Sequence, residues 1–581
     1  MKKEIIRLRE VMKDHGIDGY LVPTTDFHGS EYVNDYFKCR RYLSQFTGSN
    51  GTLLITQDEA LLWTDSRYFV QAPKQLEGTG ISMMKCQTPG VPEIPEYLPM
   101  IANEDFVLGF DGRVVSYNDG VKYASACKVR HDVDLVDLIW EDRPAISPSK
   151  IYCLSETLTG ESYTSKLQRL QNCLRDESLD YHLIPCLEEI AWLFNLRGED
   201  VKYTPVFFAF ALITPDSAKL YVLDPDFEGL TGVTTLPYLQ IFDDLKSLKQ
   251  GKCLVSKRIV SYTLMEAIPD DVEIIDGPSP VELMKAQKNK VEIEGTKKAQ
   301  MLDGAAMTNF IYWLKHNVAS GEVSATELSA CDKLESYRKA NPALLDLSFE
   351  TMAGYGVNGA SIHYDTMMGD PCPLLQSGFL LVDSGGQYMD EEASICGTTD
   401  VTRTISLGPL TKEMKEHYTI VLRAYLALAH AEFDASQAGE TLDKIAKDVA
   451  AEAGPVYSYD TGHGVGHLLS VHEGPRMIGR TDKPMLPGMI VSNEPGIYID
   501  GSHGIRIENE LLVTDLGDGH RGFEQISWIP MDRAAILPEK MTAEEIDWLN
   551  DYHREVYEKI APLLDEPVRQ WLKEETATIT A

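Results

Sequence analysis

The sequence predicts a multidomain protein of mixed α/β and α+β class: two small α/β domains of one common fold, then a larger domain with helices outside a curved, largely antiparallel sheet. Three observations carry this. At 581 residues the chain is too long for one core, and such a length points to about three or four domains. A helix-then-strand order near the start returns about 150 to 160 residues later. From Val281 the pattern changes to long helices interrupted by strands.

Residues 4–14 place Ile5, Ile6, Leu8, Val11 and Met12 among charges at helical spacing. The strand-like GYLVP (Gly19 to Pro23) follows, then short β-rich runs, RRYLSQFTGSNGTLLIT (Arg40 to Thr56) and LLWTDSRYF (Leu61 to Phe69), separated by Gly, Ser and Asp turn signals. The order repeats as LQRLQNCLRDES, LDYHLIP (Leu179 to Pro185), IAWLFNLRGED (Ile190 to Asp200) and FAFALIT (Phe208 to Thr214). RPAISPSK (Arg143 to Lys150) and DGPSP (Asp276 to Pro280) gather Pro and Ser without apolar periodicity, so the expected domains are 1–150, 151–278 and 279–581. In the third, helices are expected over 292–316 and 412–433, strands at FLLVDSGG, GTTDVTRTISLG, MIVSNEPG and GIRIENELLVTD, and a last helix around Trp548, Leu549 and Tyr552.

Apolar residues make up 43% and charged residues 25%, as in an ordinary soluble globular protein. Lys and Arg total 54 against 89 Asp and Glu, a formal net charge of −35, which opposes phosphate backbones and anionic lipid surfaces. The start is charged throughout, and no run approaches the ~18 apolar residues of a membrane span. The expectation is a cytoplasmic protein with no nucleic-acid and no membrane partner. Ten scattered cysteines, the closest in sequence being Cys173 and Cys186, form no CxxC or zinc-ribbon spacing and read as reduced thiols.

The chemistry gathers between residues 383 and 508. Asp383, Asp400, His463, Glu494 and Glu508 offer four carboxylates and one imidazole, a donor set suited to a pair of small, hard divalent cations. Asp383 ends the apolar run Phe379 to Val382. Asp400 alternates with Thr398 and Thr402 on one face, so a hairpin aims both aspartates into one pocket. Arg506 and Glu508 share a face of IRIEN, with Ile505 and Ile507 toward the core, and Glu494 precedes the turn Pro495-Gly496. His463 lies in the Gly-rich TGHGVGH, and His467 stands four residues on as an alternative ligand or a packing histidine. Any one acid at a strand end is more often a turn residue than a ligand; joint placement beside Gly-rich turns strengthens the reading of a two-metal hydrolase, and the resemblance below decides it. No HExxH is present, which leaves a mononuclear zincin scheme without support.

These residues sit in strings similar to those of the long, three-domain Xaa-Pro aminopeptidases, the aminopeptidase P group of pita-bread metallopeptidases. The strings are SEYVNDYFKCRRYLSQFTGSNGTLLIT, EEIAWLFNLRGEDVKYTPVFFAFALIT, LSFETMAGYGVNGASIHY, LLVDSGGQYMD, GTTDVTRT, TGHGVGH, VHEGP and NEPGIYIDGSHGIRIENELLV. The resemblance implies two creatinase-type domains before a pita-bread catalytic domain, a homodimer, and cleavage of peptides with penultimate proline. It implies Asp400 and Glu508 as bridging ligands, with Asp383 completing one metal's shell and His463 and Glu494 the other's. His363 and His472 match histidines that line the substrate pocket, and Arg506 an arginine beside the bridging acid. The expected chemistry is attack of a metal-bridging hydroxide on the first residue's carbonyl, with Glu494 handling the proton and His363 or His472 stabilising the oxyanion or protonating the proline nitrogen. Mn2+ is the expected metal, with Zn2+ or Co2+ compatible.

Two departures stand out. About six residues near 391–396 are added at a hairpin tip, which a loop absorbs without moving its strands. Tyr459 stands where relatives often carry histidine, four positions before His463. The rival activities are an Xaa-Pro dipeptidase, which shares the five ligands, a ligand-poor pita-bread module that binds proteins, and metal-free creatinase-like amidinohydrolysis. Retention of all five ligands disfavours the last two.

Overall fold

The computed structural model describes residues 2–224, 227, 230–367, 372–454 and 456–580. The chain falls into two compact units, Met1–Leu154 with Glu161–Glu282, and Ser155–Gly160 with Leu283–Ala581. Among the described residues no helix is long and apolar enough to cross a membrane.

The first unit begins with helix Lys3–Asp14, whose Ile5, Leu8 and Met12 recur on one face and are buried, each contributing about 1.5–3 kcal/mol. Gly16, at φ +63°, ends it in the left-handed region, and the chain enters β1 (Gly19–Pro23). With β2 (Thr52–Thr56), β3 (Ala60–Thr64), β4 (Ser82–Lys85), β5 (Val107–Phe110) and β6 (Lys128–Arg130) it forms a sheet of order β4-β3-β2-β1-β5-β6. Arg40 to Ser44, expected in a β-rich run, lies instead in helix Cys39–Ser44. The reason is Arg40, which turns inward and donates to Thr24 Oγ1 at 2.5 Å, to the Phe46 carbonyl at 2.7 Å and to the Gly48 carbonyl.

Next, β7 (Tyr152–Cys153) pairs with β9 (Leu196–Arg197). A second sheet holds β8 (Tyr181–Ile184), β10 (Ala209–Ile213), β11 (Ala218–Val222), β12 (Thr234–Pro237), β13 (Gly251–Val255) and β14 (Val272–Asp276) in the order β12-β11-β10-β8-β13-β14. The two orders correspond strand for strand, and so do the directions. β1/β2 and β8/β10 are antiparallel, β1/β5 and β8/β13 parallel, and the edge pairs of both sheets parallel. A helix precedes the first strand of each, Tyr163–Asp176 in the second copy, with Leu167, Leu170 and Leu174 buried. The helix after that strand, Leu187–Leu193, is the counterpart of Cys39–Ser44.

The second unit is built on helices Lys290–Trp313 and Lys412–Ala429. Asn289 caps the first, accepting from the Val291 and Glu292 amides, with Glu292 returning a bond to the cap. Helix Ala543–Ile560 buries Leu549 and Tyr552, and a separate helix, Glu566–Glu575, follows it. The strands are β15 (Leu344–Leu347), β16 (Met352–Tyr355), β17 (Phe379–Ser384), β18 (Gly386–Asp390), β19 (Ile395–Thr398), β20 (Val401–Ser406), β21 (Phe433–Asp434), β22 (Gly462–Gly464), β23 (Glu473–Ile478), β24 (Ile490–Asn493), β25 (Gly496–Ile499), β26 (His503–Arg506), β27 (Asn509–Gly517) and β28 (His520–Gln525). Every pairing among them is antiparallel in the described residues.

The expected antiparallel β structure is arranged as β15-β18-β19, β16-β17-β20, β21-β28-β27-β24-β22-β23 and the hairpin β25-β26. The divisions fall at Gly385, at Thr399-Asp400, at Glu494-Pro495 and at Ile507-Glu508, where extended chain leaves one sheet for the next. Thr399 makes the second of these turns by bonding Gly386 twice, amide to carbonyl and hydroxyl from amide, both at 2.9 Å. Asp400 therefore lies between β19 and β20 rather than within a continuous alternating strand.

Candidate metal centre

Three acids sit at those divisions and one beside them, because a strand end is where a side chain leaves the wall with its backbone still held. Asp383, near the end of β17, is paired with Met352 on one side and Thr402 on the other. The Glu508 amide donates to the Thr402 carbonyl at 3.1 Å, and the Glu494 amide to the Thr461 carbonyl at 2.8 Å. His463 is the middle residue of β22. A Cβ on the preceding Gly462 would lie 1.9 Å from the Ser492 carbonyl oxygen, so only glycine allows this approach to β24.

The structure brings the five together. His463 Nε2 is 3.5 Å from Asp400 Oδ2 and 3.4 Å from Glu494 Oε1. Ligand atoms of Asp400, His463 and Glu508 all lie within 4.8 Å of one another. Asp383 joins through Arg506, whose Nη2 donates to Asp383 Oδ2 at 2.6 Å while Nε donates to Thr402 Oγ1 at 3.1 Å. Thr402 in turn donates to Glu508 Oε2 at 2.6 Å.

Electrostatics and hydrogen bonding both fit divalent cations. Burial lifts the Asp400 carboxyl well above the usual carboxylate range, and the charges of Glu508, Asp383 and Glu494 push the same way. Burial, then Glu494 and Asp383, does the same to Glu508. Glu494 rises to about 7 through burial, held back by Arg506 and raised again by Asp383. For Arg506 burial opposes the charge, yet Tyr498 and Asp383 keep the guanidinium protonated well above its ordinary value. Four acids against this one guanidinium call for added positive charge. His463 Nδ1 lies 2.9 Å from the Gly464 carbonyl; donation there leaves the neutral ring's Nε2 lone pair facing carboxylate oxygens. Asp383 Oδ1 is buried without a hydrogen-bond donor. Oxygen and nitrogen lone pairs at these separations are what cations ~2.0–2.2 Å from each would satisfy.

The remaining candidates differ in how they relate to this cluster. The His472 ring meets His463 edge-on, centroids 4.4 Å apart. The residue before His363, Ile362, accepts from Arg506 Nη1 at 3.4 Å. The loop Gly356–Ala360 that leads to His363 is pinned by Glu327, whose buried carboxylate accepts from the Tyr355 amide at 2.6 Å, Asn358 Nδ2 at 3.0 Å and Tyr364 OH at 3.0 Å. A Cβ on Gly504 would lie 1.7 Å from the Gly359 carbonyl oxygen, so this loop rests directly on β26. Buried His467 has ring nitrogens 3.2 Å from Thr296 Oγ1 and 3.1 Å from the Leu158 carbonyl, partners of a packing histidine. Tyr459 OH meets Tyr498 OH at 2.8 Å and donates to the Glu494 carbonyl at 3.1 Å.

Sequence reasoning missed Thr402, Ser492, Tyr498 and Glu327. Ser492 Oγ donates to Glu494 Oε1 at 3.2 Å and accepts from the His463 amide at 3.0 Å. Tyr498 OH accepts from Arg506 Nη1 at 2.8 Å. Period two did place Thr402 on the face of Asp400, but nothing in the sequence marked its partner 106 residues on.

Antiparallel hairpins that converge acids and an imidazole, preceded by two α/β domains of one topology, define the class: a pita-bread metallopeptidase with creatinase-type N-terminal domains. The models of known families agree. Residues 5–144 and 142–292 match the creatinase/prolidase N-terminal domain, 294–515 metallopeptidase family M24 and 519–579 the C-terminal region of that peptidase. The chain belongs, more narrowly, to the Xaa-Pro aminopeptidase P family, and it is a metallo-aminopeptidase. It is 36% identical to a probable Xaa-Pro aminopeptidase P of Aspergillus flavus over 614 residues, 100% of this chain and 93% of that one. The probable Xaa-Pro aminopeptidase P of Laccaria bicolor is 36% identical over 611 residues, 99% and 93% of the two. Among solved structures, an X-prolyl aminopeptidase of Caenorhabditis elegans, described as a cytosolic enzyme with a di-nuclear active site, superposes with a TM-score of 0.93 at 28% identity over 99% of both chains. The prolidase of Thermococcus sibiricus, at 22% identity, a TM-score of 0.52 and 65% coverage of this chain, shares the fold alone.

Proposed function

We propose that this chain is a dinuclear-metal aminopeptidase that releases the N-terminal residue from peptides with proline in second position. The approach of His463 Nε2 to Asp400 and Glu494 oxygens beside Glu508 supports the dinuclear chemistry, and the observation that carries the aminopeptidase reading over a prolidase is the full-length likeness to X-prolyl aminopeptidases. Asp383, Asp400, His463, Glu494 and Glu508 would hold the cations, which when bound supply Lewis acidity and a water of lowered pKa. The oxygen-rich donor set favours Mn2+, with Zn2+ or Co2+ also compatible.

The chain's own residues divide the remaining work. Glu494, its Oε1 accepting from Ser492 Oγ at 3.2 Å, would take a proton from the attacking water at a carboxylate oxygen. His472, in contact with His463, and His363, next to the Ile362 carbonyl that accepts from Arg506, would stabilise the tetrahedral oxyanion or return a proton to the leaving proline nitrogen. Arg506 orients Asp383 by the bond from its Nη2 to Asp383 Oδ2. The bond before proline lacks an N–H, so specificity comes from enclosing the pyrrolidine ring.

The domain division 1–150, 151–278 and 279–581, a homodimeric state and a cytoplasmic location accompany this reading; the last is supported by the cytosolic description of the nematode enzyme. The test is hydrolysis of an Xaa-Pro-Yaa series against the matching Xaa-Pro dipeptides, with defined metals. Cleavage of the longer peptides is expected. Activity confined to dipeptides would instead identify a prolidase, and inactivity toward both would remove the assignment.

A further inference from the structure

Helix Gly439–Ala450 buries Leu442, Ala446 and Ala450, and beside them it buries an acid, Asp443. Asp is a poor helix former and its carboxylate is costly to bury, so the position calls for partners. Most come from one residue in the wall of the metal centre. Thr461 donates to Asp443 Oδ1 twice, from its amide at 3.0 Å and from its hydroxyl at 2.6 Å. Tyr457 OH lies 2.6 Å from the same hydroxyl oxygen. Because a carboxylate oxygen only accepts, Thr461 Oγ1 gives its proton to the bond with Asp443, and Tyr457 is the donor to Thr461. Lys447, one turn along the helix, reaches Asp443 Oδ2 at 2.8 Å.

Thr461 stands where two of the metal-type side chains meet. Its carbonyl accepts from the Glu494 amide at 2.8 Å. It is joined to His463 through Gly462, the glycine pressed against the Ser492 carbonyl, and His463 Nε2 lies 3.4 Å from Glu494 Oε1. Asp383 and Glu508 are held from elsewhere, by Arg506 and by Thr402.

We propose, resting on the dinuclear reading above, that Asp443 is a positioning residue for the His463–Glu494 half of the metal centre. It fixes the stretch of backbone from which both side chains are held, and it does so as a hydrogen-bond acceptor rather than as a charge. Without it the Thr461 amide and hydroxyl are left buried and unpaired, and the slack falls on His463 and Glu494 while Asp383 and Glu508 keep their own supports. The Lys447 pair is partly exposed and contributes little. Asparagine, which offers a carbonyl oxygen in place of Oδ1, therefore serves as well as aspartate.

The test uses full-length, metal-free protein titrated with Mn2+, with bound ion counted per chain by equilibrium dialysis. Wild type is expected to bind two. In Asp443→Ala one of the two should bind about 10–100-fold more weakly and the other as in wild type, and amide hydrogen exchange over 461–464 in the metal-free protein should accelerate. Asp443→Asn should bind both as wild type does. Leu442→Ala, which opens a cavity under the same helix, should lower the melting temperature and leave both affinities unchanged, separating position from stability. If Asp443→Ala lacks native circular dichroism, Thr461→Val, which keeps the amide bond and removes the hydroxyl, takes its place and should show the same one-site loss in smaller measure. Wild-type affinity for both ions in natively folded Asp443→Ala, or in Thr461→Val where that replaces it, would overturn the role of Asp443. So would the one-site loss appearing in Asp443→Asn or in Leu442→Ala. Fewer than two Mn2+ in wild type would instead remove the dinuclear reading, and the role of Asp443 with it.

Discussion

Glu473→Gln tests whether the strand after His472 is held by charge. Glu473 opens β23, opposite Gly464 in the ladder beside His463. Its carboxylate is enclosed by two ammonium groups, Lys285 Nζ at 2.5 Å and Lys288 Nζ, and Lys288 also donates to the Val465 carbonyl at 2.6 Å. The three side chains are 2%, 6% and 1% exposed, so water offers them little screening. Removing the carboxylate charge takes from two buried ammonium groups the anion they share, with Glu292 left as a weaker attraction on Lys288, a loss of about 3–5 kcal/mol. For a unit of this size that lowers the melting temperature by roughly 6–10 °C.

The deficit has a pH signature. Burial already holds Lys288 below its ordinary value of 10.5, with Glu473 opposing the shift. In the variant the folded lysine loses that support, so the unfolded state binds more protons in the window up to 10.5, and stability recovers as pH rises through it. Scanning calorimetry of Glu473→Gln, Lys288→Met and the double variant at pH 6 and pH 9 measures this. The double variant should lose less than the sum of the singles. Strict additivity, or a melting point within about 2 °C of wild type, refutes the reasoning.

Asp400→Asn and Glu508→Gln should each abolish Xaa-Pro cleavage and lower bound metal, counted on dialysed protein; near-normal turnover in either would remove it from the ligand set. Thr402→Val removes the 2.6 Å bond to Glu508 and the acceptor for Arg506 Nε, a cost of about 1.5–3 kcal/mol, read as a ~10–100-fold fall in kcat/KM. In metal-free protein Glu494, raised from 4.5 to about 7, stabilises the fold below pH 4.5. That contribution, of order 3 kcal/mol, is lost as pH rises through 7, so added Mn2+ should raise the melting temperature more at pH 8 than at pH 5.5. Glu327→Ala frees three donors on either side of His363, those of Tyr355, Asn358 and Tyr364; hydrogen exchange over 355–364 should accelerate while the core of the unit stays protected.

What the sequence disclosed follows the range of the forces involved. Helix Lys3–Asp14 and strand β1 were legible because their periodicity is local, and the duplication because the same local pattern occurs twice. All five acids and imidazoles of the cluster were marked by strand ends and Gly-rich turns, which are also local signals. Arg40 misled because its helix is fixed by carbonyls and a hydroxyl outside that helix, a feature of the folded chain. The break at Asp400 was hidden for a related reason: it depends on Thr399 bonding Gly386 across the hairpin, and alternation continues unbroken through it. Thr402, Ser492 and Tyr498 act through partners brought close only by the finished sheets.

The hairpin Gly386–Asp390 and Ile395–Thr398 belongs to a different sheet from the strands on either side of it. Asp383 and Asp400 are anchored outside its two legs, and Glu391, Glu392 and Ala393 at its tip are exposed. Its far end is thus mechanically insulated from the donor atoms. A small reporter peptide spliced between Glu392 and Ala393 should be carried as passive cargo, which makes this tip a natural handle for tethering or labelling the working enzyme.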